Sequence, residues 1–258
     1  MALIDSHAHL TFPELRDQLE AVLERCAAAG VERVITIGTD LTDAQEALVV
    51  ARRYPQRVHA VVGFHPHESD TVGDDDLARM AELWDSDDVV AFGEMGLDYH
   101  YDFGLRENQQ RVFRRQLELA ADRDRPLVIH CREAVDDAAA LLVEHGFSDR
   151  PVVFHCFTGT GAEAERLAER GWRISFTGIV TFRRSTGLQE IARTYPAHQL
   201  MVETDSPYLS PEPVRNRRPN EPAHVAHLAR FLADLRGEPF EAFAARTHRN
   251  TVDFFALP

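Results

Sequence analysis

Short hydrophobic runs recur along the chain and alternate with longer stretches in which hydrophobic residues follow a helical spacing. Some of the short runs, such as residues 58–62 and 151–154, are almost continuously apolar, which is typical of strands buried on both faces of a parallel sheet. The pattern predicts eight strands, near residues 2–6, 33–38, 58–63, 88–93, 126–130, 151–155, 172–177 and 199–203.

Helices are predicted between the strands and after the last one. Gly30 and Gly171 stand where helix C-caps belong. The alternation predicts an α/β fold, a single (β/α)₈ TIM barrel over residues 1–258 with an extra C-terminal helix. The alternative is an open doubly wound sheet, but the Gly-x-Gly-x-x-Gly turn of its dinucleotide-binding version is absent. The predicted helices are 13–29, 43–53, 74–84, 105–124, 132–145, 161–170, 185–194, 222–236 and 239–255.

The composition limits where the protein works. No apolar run is long enough to predict a transmembrane helix, and the N-terminus does not read as a signal peptide, so we expect a cytoplasmic protein without membrane contact. Three scattered cysteines do not suggest a disulfide framework. Cys131 and Cys156 each follow a histidine, and strand alternation predicts that both thiols face the helices as small buried groups.

Charge limits the chemistry. The formal net charge of −14 argues against binding nucleic acid by general attraction, although a local basic patch or bound cations remain compatible with it. All 28 basic residues are arginine. The absence of lysine excludes Schiff-base catalysis and a carbamylated lysine between two metals, so a bridging ligand must be a carboxylate.

Residues of the kinds that bind divalent metals stand at or just after the predicted strand ends. In a barrel these ends open on one face, so their side chains are expected to meet there. His7 and His9 lie two residues apart, which places both imidazoles on one side of an extended segment. The predicted metal ligands are His7, His9, Glu94, His130, His155 and Asp205.

Six ligands are too many for one tetrahedral centre with an open position, but they suit two ions that share a carboxylate. Two such ions, of Mg, Mn or Zn, can activate water and hold a leaving oxygen. Glu94 is the expected bridge because its strand lies between the two groups. We therefore assign His7, His9, Glu94 and Asp205 to one ion and Glu94, His130 and His155 to the other.

Further residues of the same loops are expected to contact substrate. His65 is placed to bind a phosphate oxygen or a leaving group, and Glu203, two residues before Asp205, faces the same way and either polarises water or orients a ligand. Asp205 is predicted to orient the nucleophilic water. Arginine forks suit phosphate oxygens, and aromatic rings can stack on bases. The loop arginines are Arg132, Arg183, Arg184, Arg215, Arg217 and Arg218, and the loop aromatics are Tyr99, Tyr101 and Phe182.

The motifs resemble, in order from residue 3 to about 225, those of the TatD family of metal-dependent deoxyribonucleases. The matching segments are His7-x-His9, Gly63–Pro66, Gly93–Tyr99, Ile129–Ala134, His155–Gly159 and Glu203–Leu209. The resemblance implies a TIM barrel of the amidohydrolase type that hydrolyses DNA from the 3′ end, with RNA sometimes accepted. It also implies the same six metal ligands, and roles in substrate binding and catalysis for His65 and Glu203.

One segment departs from the family pattern: Asn216 stands where glycine is common in the loop after strand 8, which puts the substrate contacts of that loop, Arg215 among them, in doubt. Two other functions stay open. A metal-dependent hydrolase of esters or amides, such as a D-aminoacyl-tRNA deacylase, would use the same ligands on tRNA. A non-catalytic scaffold is disfavoured, because a structural metal site would be closed. Nothing in the sequence fixes the oligomeric state, and we expect a monomer.

Overall fold

The computed structural model describes residues 2–258 and contains eight parallel strands in one sheet, in the order β1 to β8. The two ends of the sheet meet through a parallel bridge between Ala8 and Ser206, which nearly closes it into a barrel. The predicted (β/α)₈ fold is therefore confirmed. Met1, the first residue of the predicted domain, lies outside the described residues. The strands are β1 (Leu3–Ala8), β2 (Val31–Gly38), β3 (Val58–Val62), β4 (Val89–Asp98), β5 (Leu127–Arg132), β6 (Val152–Phe154), β7 (Arg173–Phe176) and β8 (Leu200–Val202).

Helices follow the strands around the barrel, close to their predicted positions. The first predicted helix is divided, because the Gln18 side chain donates to the Glu14 carbonyl (2.9 Å) that a continuous helix would use. No helix of residues 2–258 has the length and apolarity needed to cross a membrane. The helices are α1 (Pro13–Arg16), α2 (Leu19–Ala28), α3 (Leu41–Arg53), α4 (Asp74–Trp84), α5 (Arg106–Ala120), α6 (Val135–Glu144), α7 (Gly161–Glu169), α8 (Thr186–Thr194), α9 (Val225–Arg236) and α10 (Phe240–Phe255).

Two hydrophobic layers hold these elements together. In each strand, the side chains on one face pack against the helices, and the side chains on the other face form a second cluster inside the barrel. The end of α10 joins this inner cluster, so the C-terminal helix is part of the barrel core as well as an extension of the fold. The inner cluster consists of Ile4, Ile35, Ile37, Val61, Ala91, Val128, Val153, Met201, Phe254, Phe255 and Leu257.

Strand β4 is longer than the sequence suggested and continues to Asp98 along β5. Gly93 and Gly96 make this possible: both have positive φ, and a Cβ there would lie 2.3 Å from the Val128 carbonyl oxygen or 2.0 Å from that of His130. The expectation that Glu94 ends the strand was therefore wrong. Glu94 lies within β4, and Asp98 takes the position at its end.

Candidate metal centre

The six predicted metal ligands converge at the carboxyl end of the barrel. His7, Glu94 and His130 lie within strands, His9 and His155 directly follow strand ends, and Asp205 lies three residues after the end of its strand. The parallel order of the strands brings these distant positions together. The ligands beyond the strand ends are His9 after β1, His155 after β6 and Asp205 after β8.

Glu94 occupies the middle of the cluster and is only 2% exposed. Its Oε1 atom lies 2.6 Å from both His130 Nδ1 and His155 Nε2. Its Oε2 atom faces the other way, 3.2 Å from His7 Nε2. One carboxylate therefore faces both of the predicted ligand groups, which is the arrangement that a bridging ligand requires.

Asp205 completes the group around His7 and His9. Its Oδ1 atom lies 3.3 Å from His9 Nε2 and 3.8 Å from His7 Nε2. The Asp205 backbone has φ 54°, in the left-handed region that non-glycine residues seldom adopt and that is found at functional sites. Its amide donates to the His7 carbonyl at 3.0 Å, which fixes this turn against β1.

The donor set fits a divalent metal. His7 Nε2 and Glu94 Oε2 are buried and have no hydrogen-bond partner, an arrangement that costs free energy unless a further group satisfies them. Ligand atoms of His7, His9 and Glu94 lie within 4.8 Å of one another, and those of Glu94, His130 and His155 do so as well. Imidazole and carboxylate together suit Zn, Mn and similar ions.

The charges of the cluster support each other. Burial opposes ionisation of Glu94, but the surrounding histidines, His155 foremost, outweigh it and hold the pKa of Glu94 well below its usual value. Burial likewise opposes protonation of His155, yet Glu94 and Glu203 raise the pKa of His155 well above the usual value. The centre thus keeps its carboxylate ionised without bulk water, as a metal ligand must be.

His65 lies at the wall of the cavity beside the cluster. Its Nδ1 accepts the His67 amide (3.1 Å), so the proton of the neutral ring lies on Nε2, which faces His130 Nδ1 at 3.1 Å and Glu94 Oε1 at 3.5 Å. Burial and the neighbouring His130 lower the pKa of His65 to about 3. His65 is therefore a neutral ring with an N–H directed at the centre.

Glu203 lies behind His155 and is not part of the cavity wall. Its Oε1 atom is 3.3 Å from His155 Nδ1 and accepts the Cys156 amide at 2.7 Å. This placement favours the second of its two predicted roles, which is to orient a ligand.

Asp98 is a site residue that the sequence did not reveal. Asp98, which is fully buried, has Oδ2 at 2.9 Å from His130 Nε2 and 3.1 Å from His67 Nε2. It therefore fixes the ring of a predicted ligand from behind, as outer carboxylates do at metal sites. The available signal was the position of Asp98 in the Gly93–Asp98 segment, four residues after Glu94.

A cavity of about 550 Å³ opens above the centre. Arg132 lines it, but Arg215 does not; the Arg215 guanidinium lies 3.9 Å from the centre of the Phe182 ring.

Two aromatic residues of the loop after β4 also line the cavity. They are Tyr101 and Phe103, and the sequence analysis did not single out Phe103. Tyr99 is held aside by hydrogen bonds with Asp137 and Gln110. The remaining loop arginines, Arg183, Arg184, Arg217 and Arg218, are exposed and lie outside the cavity lining.

The thiols differ from the expectation in one case. Cys131 is buried, whereas Cys156 is only partly buried; both residues are among those that line the cavity. Strand alternation does not apply to Cys156, because β6 ends at Phe154 and Cys156 has φ 45°. The prediction that this thiol faces the helices was therefore wrong.

The loop after β8 needs no glycine at position 216. Asn216 is not among the non-glycine residues of 2–258 with positive φ, so the substitution imposes no left-handed strain. The loop is instead fixed by Asn220, whose side chain donates to the carbonyls of Thr204 and Tyr208. A buried network links Thr204 to the Asp5 carboxylate, which ties the segment after β8 to β1 beside the predicted metal ligands.

Comparison with known proteins agrees with this arrangement. The profile of the family described as TatD related DNase matches residues 4–256. The uncharacterized metal-dependent hydrolase YabD of Bacillus subtilis is 36% identical over 255 residues, with 99% of each chain covered. The 3′-5′ ssDNA/RNA exonuclease TatD of Salmonella typhimurium is 35% identical over 259 residues, again with 99% of each chain covered.

The fold is shared along the whole chain as well. The crystal structure of YJJV, a TatD homolog from Escherichia coli K12, matches with a TM-score of 0.93 at 31% identity and covers 99% of this chain and 98% of its own. Sequence and structure agree on the relationship, and the chain belongs to the TatD family of metal-dependent hydrolases.

Proposed function

We propose that this hydrolase of ester bonds is a deoxyribonuclease that removes nucleotides from the 3′ end of DNA. The observation that carries the proposal is the buried Glu94 carboxylate, which faces histidines through both of its oxygens at the floor of an open cavity. Such a centre suits phosphodiester hydrolysis by two ions. The Salmonella relative is named as a 3′-5′ ssDNA/RNA exonuclease, which supports the choice of substrate.

The cofactor in this proposal is a pair of divalent ions, Mg, Mn or Zn. When bound, such ions make water a better nucleophile and offset negative charge on phosphate oxygens. Their proposed ligands are His7, His9, Glu94 and Asp205 for one ion and Glu94, His130 and His155 for the other.

The other residues act by position and charge. Burial opposes ionisation of Asp205, but His9 and His7 outweigh it and lower the pKa of Asp205, so the carboxylate stays ionised and can accept a hydrogen bond that orients the attacking water. The His65 Nε2 proton is directed to the centre, where it can be donated to the leaving oxygen in a hydrogen bond. Arg132 is the arginine placed to bind a phosphate oxygen in the cavity.

Location and assembly complete the proposal. The three cysteines are all free, which is common in the reducing cytoplasm, where we place the enzyme as a monomer. Sedimentation of the purified protein measures its mass in solution, and a dimer would contradict that part.

Glu94→Gln tests the mechanism. The amide keeps the shape of the side chain but removes the charge that both ligand groups face, so we expect the loss of bound metal together with a fall in DNA hydrolysis of at least about a thousandfold. Metal content by mass spectrometry and an end-labelled DNA assay measure the two effects. Glu82→Gln, an exposed change on α4, is the matched control and should alter neither. Full activity of metal-free Glu94→Gln would contradict the proposal.

The choice of bond needs a separate assay. Metal-loaded protein is given single-stranded DNA labelled at either end, duplex DNA, RNA and D-aminoacyl-tRNA. Successive shortening from the 3′ end of the DNA supports the proposal. Deacylation of the tRNA without cleavage of any nucleic acid would support the alternative ester hydrolase.

A further inference from the structure

Exposed aromatic rings are concentrated at the mouth of the cavity. Among residues 2–258, only three Phe, Tyr or Trp side chains are largely exposed, and all three line the cavity above the candidate metal centre. They are Tyr101, Phe103 and Tyr208. Phe103 is the most exposed of them, at 62%. A group of exposed apolar side chains at the rim of a cavity is typical of a ligand-binding site.

The loop that carries Phe103 is held in place. The Asp98 Oδ1 atom accepts the amides of His100 and Tyr101, both at 3.0 Å. The Gln109 side chain donates to the carbonyls of Asp98 and Gly104 at 2.9 and 2.8 Å. Both ends of the segment 99–104 are therefore tied to β4 and α5, and the exposed ring is a preorganised surface.

The neighbours of Phe103 leave it available for a ligand. Its ring stacks with that of Tyr101 at 5.3 Å and 27°, and His67 meets it edge-on at 4.9 Å. Tyr101 itself already has a second partner, the Arg132 guanidinium at 5.1 Å. Tyr101 thus supports Phe103, and among residues 2–258 Phe103 has no aromatic partner beyond these two.

The other aromatic pair at the mouth differs. Phe12 and Tyr208 meet at 87° and do not form one continuous surface, and Phe12 packs on the predicted ligand His9 at 4.8 Å. These two rings therefore lie against a predicted ligand, whereas Phe103 and Tyr101 lie against His67, which is not one.

Resting on the proposed nuclease function, we infer that Phe103 is a base-stacking residue of the substrate site. One unpaired base near the 3′ end of the strand stacks on the Phe103 ring, and a neighbouring phosphate lies on Arg132. Stacking tolerates any base, because each has a π face, so this subsite selects for unpaired nucleotides and not for sequence.

The test combines a change in the protein with a change in the DNA. Wild-type protein and Phe103→Leu are compared on a single strand with all its bases and on a series of strands that each lack one base near the 3′ end. For one position in the series, loss of the base should lower kcat/KM of the wild type by about tenfold, as expected for one stacked base. In Phe103→Leu, removal of that base should change kcat/KM little. In Phe103→Trp, which keeps an aromatic ring, removal of the base should again lower kcat/KM.

Leu105→Ala is the matched control, since Leu105 directly follows the segment 99–104 and is 59% exposed but does not line the cavity. In Leu105→Ala, removal of the base should lower kcat/KM as much as it does in the wild type. If removal of the base lowers kcat/KM equally in wild type and Phe103→Leu, the inference is overturned. If, in addition, Phe103→Leu has a different mass in solution from the wild type, Phe103 belongs to an interface between two copies of the chain.

Binding separates this inference from the proposed function. Affinity of the metal-loaded protein for strands with a non-hydrolysable phosphorothioate end is measured in parallel by fluorescence anisotropy. If the wild type hydrolyses no DNA but its binding still depends on one base and on Phe103, the nuclease proposal fails and the base site stands. If hydrolysis is normal and neither measurement depends on Phe103, the base site fails alone.

Discussion

Asp98 lies outside the predicted ligand set but contacts one of its members, His130. Burial opposes its ionisation, but hydrogen bonds with His130 and His67 hold the pKa of Asp98 well below its usual value. The carboxylate therefore remains charged behind His130 and determines which way the ring turns. A metal ligand with a fixed ring loses less freedom when it binds an ion.

Asp98→Asn should weaken metal binding by roughly 10–100-fold while the barrel stays folded. Asparagine can still accept the two loop amides through its oxygen, but its NH₂ group replaces the acceptor that faces the histidines. Activity measured against metal concentration should shift to higher concentration and recover in excess metal. Asp102→Asn, an exposed change four residues later, is the control. An unchanged metal dependence in Asp98→Asn would show that Asp98 serves only the loop.

Among the elements, α10 contributes more than its position at the end of the chain suggests. Its last residues, Phe254 and Phe255, are 3% and 2% exposed and belong to the cluster inside the barrel. The Asn250 side chain donates to the Ala197 and Leu200 carbonyls, both at 2.8 Å, which ties α10 to the start of β8. The helix therefore closes the end of the barrel opposite the metal centre.

Phe255→Ala should lower the free energy of unfolding by about 3–5 kcal/mol, the usual range when a buried phenylalanine is truncated. Urea denaturation followed by circular dichroism measures it. Phe240→Ala, at the partly exposed start of the same helix, should cost clearly less. Because the metal centre lies at the other end, the folded fraction of Phe255→Ala should bind metal normally. Equal costs for the two changes would mean that α10 only covers the surface.

The whole molecule has two unlike ends. The carboxyl ends of the strands carry the predicted ligands and their cavity, while a second cavity of about 760 Å³ at the other end contains none of them. His59 lies there, 8% exposed, with no hydrogen-bond partner for Nε2. Burial, together with the charge of Arg33, lowers the pKa of His59 to about 4 from the ordinary 6.5.

This shift predicts a pH dependence of stability. Between pH 6.5 and 4 the unfolded chain binds a proton at His59 and the folded protein does not, so stability is lost as the pH falls through that window. At pH 5 the contribution is about 2 kcal/mol, from 1.36 kcal/mol per pKa unit. The difference in unfolding free energy between pH 7 and pH 5 should therefore be smaller by about this amount in His59→Gln than in wild type. The exposed change His198→Gln should leave it unaltered; equal differences in all three proteins would contradict the assignment.

The sequence by itself determined the succession of strands and helices, the fold class and the residues that meet at the metal centre. These depend on local signals: hydrophobic periodicity defines each element, and parallel strands bring their carboxyl ends to one face. The family resemblance followed from the same motifs. Eight strand positions and the convergence of six ligands could be read in this way, because each needs only its own segment and the order of the chain.

Only the tertiary structure decided which side chains touch. The close approach of β4 to β5 carried the strand past Glu94 and placed Asp98 behind His130. Arg132 lies at the end of β5 and lines the cavity, whereas Arg215, in the loop after β8, packs on Phe182. The path of the loop after β4 leaves Phe103 exposed at the mouth of the cavity. Such contacts depend on strand register and loop path, which distant parts of the chain set together, so no local pattern contains them.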